Sequence, residues 1–302
     1  MKNVRFAAGV DGGGTKTELV LIGETGEVLS TSRFGALNLN SRSEEEADSA
    51  LRGVADAIRN AEGECIMLCV GAAGASNETL RQKITEKLRL FGYEGPLSFV
   101  GDQETALFAA HGANSGAVLI AGTGSICFGR GENGETARTG GRGYRIDDEG
   151  SGYAIGRDIL SAVVREFDGR GEKTQLSPLV WETLGSDRPE ELIRRLYAKE
   201  DALSPAAFAP LLPKALAQGD MQANAILQKA VEELFLLVKA LVERLSLETG
   251  AVALAGGILL HMDAVREALT EKLKAEYPNL KVFPLETPAS VGAARMALQR
   301  AE

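Results

Sequence analysis

Residues 9–23, GVDGGGTKTELVLIG, and residues 118–130, VLIAGTGSICFGR, contain the two glycine-rich turns that decide the fold. Each turn lies between two apolar runs, a pattern that predicts a β-hairpin. Glycine accepts positive φ without steric cost, and its bare backbone can approach an anion closely. We therefore expect both turns to present backbone N–H groups to phosphate.

The side chains beside these glycines also suit the phosphates of a nucleotide. Hydroxyl and ammonium groups supply further donors to phosphate oxygens. The residues concerned are Gly12, Gly13, Gly14, Thr15 and Lys16 in the first turn, and Gly122, Thr123, Gly124 and Ser125 in the second. A pair of ordinary glycine hairpins is the alternative interpretation. Two such turns in one chain favour a single phosphate chain that is held from both sides.

The composition is that of a globular protein, with 44% hydrophobic and 25% charged residues in a chain of 302. A net charge of -9 without any basic run argues against nucleic acid or an anionic membrane as partner. No apolar stretch reaches the roughly 18 residues that span a bilayer, so we expect a cytoplasmic protein. Three cysteines exclude a disulfide framework.

The secondary-structure pattern occurs twice along the chain. The first third is predicted as β-β-β-α-β-α-β, and a second copy opens with three strands from Val118. Later strands at Val252 and Val282, each followed by a helix, complete that copy. Two domains are expected, 1–112 and 113–302, and a stretch at about 167–220 that is punctuated by prolines predicts an inserted bundle of short helices.

The two hairpins, together with LAGGILL at 254–260 and PASVGAA at 288–294, resemble the actin, sugar-kinase and Hsp70-like ATPase superfamily. Residues 140–160, GGRGYRIDDEGSGYAIGRDIL, are similar to the GDEGS signature of its BadF/BadG/BcrA/BcrD-type branch, which includes N-acetylglucosamine kinases. The resemblance covers essentially the whole chain. It implies an α/β fold of two duplicated ribonuclease H-like (actin-like ATPase) domains that face a central cleft, with a helical insertion in the second.

The resemblance also implies roles for particular residues. Asp102 directly follows an apolar strand, where sugar kinases of the superfamily have a catalytic carboxylate, and a carboxylate can accept the proton of the attacking hydroxyl. A cap on a helix that starts at Gln103 is its alternative role. Gly256 and Gly257 are expected beside adenosine. The residues expected to bind the sugar, with Asp102, are Asn38, Ser76, Asp148, Glu149 and Ser151.

Asp11 ends the first predicted strand, directly before the glycine turn. A carboxylate at this position can hold hydrated Mg²⁺, and a side chain that only stabilises the turn is the alternative. The expected cofactors are therefore ATP and Mg²⁺. The expected partner is an amino sugar, and the sequence leaves a homodimer open.

The sequence thus predicts an ATP-dependent kinase that phosphorylates a hydroxyl of an amino sugar. N-acetylglucosamine is the first candidate, and glucosamine, N-acetylmuramic acid or an anhydro derivative are alternatives. The chain departs from the family pattern at two positions: it has Asp147 where the family usually has glycine, and Arg142 where the family often has tryptophan. These departures leave the identity of the sugar undecided. Alternatives of another class are an ATPase that activates dehydratases or reductases through cysteine-bound iron and sulfur, a non-catalytic sugar sensor and a ROK-type hexokinase.

Overall fold

The computed structural model divides the chain into two compact units. The first unit contains the described residues up to Asn114 together with those from Leu285 onward, and the second runs from Ser115 to Pro284. Each unit has its own five-stranded sheet and hydrophobic core. The described residues are 4–13, 16–37, 44–72, 74–75, 77–198 and 202–301.

Most of the first unit follows the predicted order β-β-β-α-β-α-β, and a further helix follows the last strand. The strands are β1 (Arg5–Gly12), β2 (Thr17–Gly23), β3 (Val28–Phe34), β4 (Glu64–Ala72) and β5 (Leu97–Val100). The helices are α1 (Glu44–Asn60), α2 (Glu78–Leu90) and α3 (Asp102–His111). The strand order is β3-β2-β1-β4-β5, in which β1, β2 and β3 are antiparallel neighbours and β4 and β5 extend the sheet in parallel.

The second unit begins with the same series of strands. Its strands are β6 (Gly116–Ala121), β7 (Ser125–Arg130), β8 (Thr136–Gly140), β9 (Ala251–Ala255) and β10 (Lys281–Pro284). Its helices are α4 (Gly152–Phe167), α5 (Leu176–Leu184), α6 (Pro189–Leu196), the 3₁₀ helix Pro205–Leu211, α7 (Leu212–Leu216), α8 (Met221–Leu245), α9 (Gly257–His261) and α10 (Asp263–Glu276). The last helix of the chain is α11 (Ala289–Ala301).

The two sheets have the same topology. The second sheet has the order β8-β7-β6-β9-β10, and its strand directions match those of the first sheet position by position. Each sheet therefore carries one glycine turn at the same place, between its central strand and the antiparallel neighbour. The predicted α/β class and the duplication are confirmed.

Apolar side chains at helical spacing explain how the layers hold together. In α1 the buried residues Leu51, Val54, Ala55 and Ile58 follow the 3.6-residue period and pack on the first sheet with α2. The 25-residue α8 buries a similar stripe within the core of the second unit. Among the described ranges, no helix combines the length and apolarity needed to cross a membrane.

The C-terminal helix α11 departs from the expected domain boundary. The sequence places 113–302 in one domain, whereas α11 folds with the first unit and shares a buried cluster with Ala7 and Val20. Glycines allow this close packing. A Cβ at Gly9 would overlap the Ala294 backbone, and one at Gly292 would overlap the Thr105 carbonyl oxygen of α3. The expected boundary is therefore wrong for residues from Leu285 onward.

We expect Gly292→Ala to destabilise the protein by about 2 kcal/mol, because the added methyl must displace the backbone of α3. The sign of this change in stability is diagnostic, since a glycine-to-alanine substitution within a helix ordinarily stabilises the protein by up to about 1 kcal/mol. Urea denaturation measures the change. Gly35→Ala is the control, because no atom lies within 4 Å of a Cβ at that position. A Gly292→Ala protein as stable as the parent would contradict the packing described for α11.

Candidate functional site

The first glycine turn connects β1 to β2, which pair in register from Phe6↔Gly23 to Gly12↔Thr17. The Gly13 N–H donates to the Lys16 carbonyl oxygen at 3.0 Å and closes the turn. A Cβ at Gly12 would lie 2.8 Å from Leu37 Cδ2, so this glycine also makes room for the chain after β3. Lys16 is exposed. The predicted phosphate residues Gly14 and Thr15 lie outside the described residues.

The second turn connects β6 to β7 and is tied to helix α4. The Gly122 N–H donates to the Gly124 carbonyl oxygen at 2.9 Å. In turn, the N–H groups of Gly152 and Tyr153 donate to the carbonyls of Gly122 and Thr123, at 2.8 and 3.2 Å. The turn's carbonyls thereby satisfy two N–H groups at the start of α4 that have no partner within the helix.

The two glycines of this turn differ in their surroundings. No atom lies within 4 Å of a Cβ built on Gly122, so the turn is open to a ligand at that residue. A Cβ on Gly124 would lie 2.8 Å from Asp148 Oδ2. Gly122 leaves space for a ligand, whereas Gly124 leaves space for a carboxylate of the protein itself.

The predicted acidic segment lies directly against the second turn. The N–H groups of Ser125 and Gly143 donate to the Asp148 carboxylate, yet burial raises the pKa of Asp148 above the ordinary value. Ser151 is fully buried, and its Oγ accepts from the Ala154 N–H at 3.2 Å, so it caps α4. Of the three predicted sugar ligands in this segment, Ser151 therefore has a structural role that the sequence prediction did not include.

The glycine pair at 256–257 also divides into two roles. Gly256 has φ of 88°, and a Cβ there would overlap the carbonyl of Ala121, the last residue of β6. A Cβ on Gly257 would lie 4.0 Å from the nearest atom, His261 Cδ2. Gly256 brings the start of α9 close to the strand that precedes the second turn, and Gly257 leaves an uncrowded backbone beside it.

Asp11 and Asp102 lie at the same edge of the first sheet, the edge formed by the carboxyl ends of its parallel strands β1, β4 and β5. In the strand register Asp11 is opposite Gly71 of β4, and a Cβ at Gly71 would lie 3.0 Å from Thr105 Oγ1 of α3. Helix α3 therefore packs over this edge with Asp102 as its first residue. The structure brings together two carboxylates that are far apart in the sequence.

Electrostatics at this edge favour a bound cation. The pKa of Asp11 rises from 3.8 to about 6, first through burial, then through the charges of Asp102 and Glu18, while Lys16 opposes the rise. Burial also raises the pKa of Asp102. Hydrogen bonds from the N–H groups of Gln103 and of Asp102 itself oppose this rise. Positive charge beside Asp11 would offset the repulsion that Asp102 and Glu18 exert on its carboxylate.

The carboxylates fit Mg²⁺ held largely by water and phosphate. No cluster of three or more His, Cys, Asp or Glu side chains in the described part of the chain forms a metal cage by itself. Magnesium retains several waters and takes one or two protein carboxylates in nucleotide sites. Asp11 is the residue that would contribute such a carboxylate, directly or through water.

Sequence reasoning missed Glu18, a charged residue inside an otherwise apolar strand. Glu18 lies opposite Asp11 and is 7% exposed. Ser290 Oγ of α11 donates to Glu18 Oε1 at 3.1 Å, and Arg33 Nε of β3 donates to Oε2 at 3.1 Å. The glutamate in TELVLIG was the available signal, since a buried carboxylate requires partners. Asn38 and Ser76, predicted to bind the sugar, lie outside the described residues.

A family model matches residues 8–297, and the chain belongs to the BadF/BadG/BcrA/BcrD ATPase family. The resemblance inferred from the motifs is thereby confirmed. The match includes both glycine turns, both carboxylates and most of the C-terminal helix that folds with the first unit.

Three relatives are similar to the chain over nearly its whole length. The N-acetylmuramic acid/N-acetylglucosamine kinase of Clostridium acetobutylicum is 34% identical, with 97% of this chain and 98% of the relative covered. The N-acetyl-D-glucosamine kinase of Dictyostelium discoideum is 32% identical, with coverage of 96% and 97%. A solved structure of a candidate N-acetylglucosamine kinase from Chromobacterium violaceum is 26% identical and has a TM-score of 0.79, with 99% of this chain and 99% of that chain covered.

We expect Asp11→Asn to stabilise the protein by about 3 kcal/mol at pH 8, since one pKa unit corresponds to about 1.4 kcal/mol. The raised pKa of Asp11 means that the Asp11 carboxyl group holds its proton more tightly in the folded chain than in the unfolded chain. Ionisation therefore lowers stability as pH rises from about 4 to about 6. Below about pH 4 the Asp11 side chain is protonated in both the folded and the unfolded chain. The stabilisation by Asp11→Asn should therefore vanish there.

Urea denaturation without divalent cations, at pH 3.5 and pH 8, measures this difference. Asp187→Asn removes an exposed aspartate and serves as the control. A loss of stability at pH 8 in Asp11→Asn would contradict the electrostatics described for this edge.

Proposed function

We propose that this chain is an ATP-dependent kinase that transfers the γ-phosphoryl group to a hydroxyl of an amino sugar, with N-acetylglucosamine as the first substrate. The observation that carries the proposal is the placement of Asp102 beside Asp11 at the first glycine turn, in a chain whose relatives of 34% and 32% identity are named as amino-sugar kinases. A cytoplasmic location agrees with this function and stays a prediction.

In this proposal the chain's own groups orient the substrates and accept one proton. The N–H groups of the two turns bind the phosphates, and the uncrowded backbone at Gly257 accommodates the adenosine. Asp102 accepts the proton of the sugar hydroxyl as it attacks the γ-phosphorus. Asp11 would hold Mg²⁺, which would neutralise phosphate charge. Asn38, Ser76 and Asp148 are the proposed sugar contacts.

The structure changes the alternative role of Asp102 as a helix cap. Gly101 is the N-cap of α3, and Asp102 is the first helical residue. An aspartate at this position still gains from the helix dipole, by about 0.3–1 kcal/mol. A carboxylate needed only for that gain would not have to be buried, since burial opposes the charge of Asp102.

N-acetylmuramic acid is a second candidate substrate. It differs from N-acetylglucosamine by a lactyl ether that ends in a carboxylate. The loop that leads to Asp148 exposes Arg142 and Arg145, and neither forms an ion pair within the described residues. A guanidinium can bind a carboxylate through two parallel hydrogen bonds. The named activity of the Clostridium acetobutylicum relative includes this sugar.

The dehydratase-activating ATPase has less support. That function needs cysteine ligands in the loops that follow the second hairpin. Cys127 is fully buried within β7, Cys69 is buried, and Cys65 is partly buried in β4. All three cysteines of the chain are thus within strands, where burial raises their thiol pKa values.

We expect rapid ADP release only when ATP and Mg²⁺ are combined with an amino sugar. A bound hydroxyl is positioned for attack, whereas water is not, so omission of the sugar should lower the rate by at least about 100-fold. A panel of N-acetylglucosamine, N-acetylmuramic acid and glucosamine identifies the substrate. If N-acetylmuramic acid is preferred, Arg142→Ala/Arg145→Ala should remove that preference. Equal ADP release with and without every sugar would contradict the kinase function.

We expect Asp102→Asn to lower the catalytic rate by about 10²- to 10⁴-fold while ATP and sugar still bind. Asparagine keeps the shape of the side chain but cannot take the proton. Steady-state kinetics and calorimetry separate the two effects. The matched control is Asp263→Asn, since Asp263 is likewise the first residue of a helix, α10. Near-native turnover of Asp102→Asn at saturating sugar would defeat the assignment.

A further inference from the structure

Glu149, which the family resemblance places against the sugar, already has a partner within its own unit. The Arg157 guanidinium of α4 donates to both carboxylate oxygens, with Nη1–Oε1 and Nη2–Oε2 distances of 3.0 and 2.9 Å. A two-point contact between planar groups fixes orientation as well as distance. The Glu149 carboxylate is therefore committed to α4.

Arg157 is itself held by further charged groups. Its Nε donates to Asp158 Oδ1 at 3.2 Å. Lys229 Nζ of α8 lies 2.7 Å from Asp158 Oδ2 and 3.9 Å from Glu149 Oε2. Single exposed ion pairs contribute little, but a network of alternating charges holds its members in one geometry. The network therefore connects two helices to the acidic segment.

The backbone of the acidic segment extends this connection to the second glycine turn. Ser125 Oγ donates to the Glu149 carbonyl oxygen at 2.7 Å, and Ser125 is 3% exposed. Asp148 has φ of 65°, and its carboxylate accepts the N–H groups of Ser125 and Gly143. A non-glycine residue keeps such a φ only where its surroundings determine the conformation. The Arg157–Glu149 contact is part of those surroundings.

We propose that Arg157 is a positioning residue for the Gly122–Ser125 turn, and that Glu149 is its anchor rather than a sugar ligand. The inference rests on the proposed function, because it takes this turn as a phosphate site. Without the two-point contact, Glu149 and Asp148 are released from a single conformation. Ser125 then loses its fixed acceptor, and the turn is no longer held in the geometry that binds phosphate.

The test compares Arg157→Met, Arg157→Lys, Glu149→Ala and the double variant Arg157→Met/Glu149→Ala. Calorimetry with β,γ-imido ATP and Mg²⁺ measures nucleotide affinity without turnover. We expect about a ten-fold loss in Arg157→Met and in Glu149→Ala, and no further loss in the double variant, since both changes break one contact. Arg157→Lys, which keeps the charge but not the two-point geometry, should be intermediate.

Steady-state kinetics provide a measurement that a general loss of stability would not reproduce. The KM for ATP should rise by the same factor as the loss of affinity, while the KM for N-acetylglucosamine changes by less than about three-fold. Arg170→Met is the control, because it breaks a different arginine–carboxylate pair, with an Nη2–Oδ2 distance of 2.6 Å to Asp168. Its nucleotide affinity should equal that of the parent.

Two results would overturn the proposal. The first is unchanged nucleotide affinity in Arg157→Met, or in Arg157→Lys and Glu149→Ala should the methionine variant fail to fold. The second is a ten-fold rise in the sugar KM of Glu149→Ala with unchanged nucleotide affinity, which would make Glu149 a sugar ligand. A parent protein that binds the nucleotide but phosphorylates no sugar would refute the kinase function and leave the binding comparison valid.

Discussion

Close packing of α11 on β1 and α3 determines the surroundings of the first glycine turn. Side chains at Gly9 and Gly292 would overlap neighbouring backbone, so only glycine lets the helix come this near. That approach brings Ser290 within hydrogen-bond distance of Glu18. Glu18 in turn lies opposite Asp11, whose pKa it helps to raise. A steric constraint thereby leads to the electrostatics of the candidate site.

The two units show how one topology provides different surroundings for the same turn. In the first unit, helix α3 begins with Asp102 beside the turn, and Glu18 adds a further carboxylate. In the second, the turn's carbonyls satisfy the start of α4, and Asp148 is bound by backbone N–H groups. The duplicated strand order therefore fixes the position of each turn, while the flanking segments determine its charge.

The sequence was sufficient for the strands and turns because their signals are local. Alternating or continuous apolar runs bounded by glycines predicted the hairpins, and Asp102 followed a short apolar strand that the structure confirms as Leu97–Val100. The partner of α11 could not be predicted in this way. A helical period shows that a segment has an apolar face, but it does not show which sheet covers that face.

The partners of charged side chains were equally hidden from sequence reasoning. Glu149 and Arg157 are eight residues apart, and their contact depends on the turn into α4 and on the direction of that helix. A signature motif shows that a carboxylate is present but not what it contacts. The roles predicted for Gly14, Thr15, Asn38 and Ser76 stay predictions, since these residues lie outside the described part of the chain.

The acidic edge of the first unit is better explained by function than by stability. Burial together with two neighbouring carboxylates makes the ionised form of Asp11 unfavourable, and the folded chain would be more stable without that charge. Proteins retain such conflicts between local energy and fold mainly where a ligand resolves them. A divalent cation that accompanies phosphate would reverse the sign of the interaction, since the same charges that repel one another attract the metal. In the proposed function, this destabilising charge would prepare the edge for a nucleotide bound with its metal.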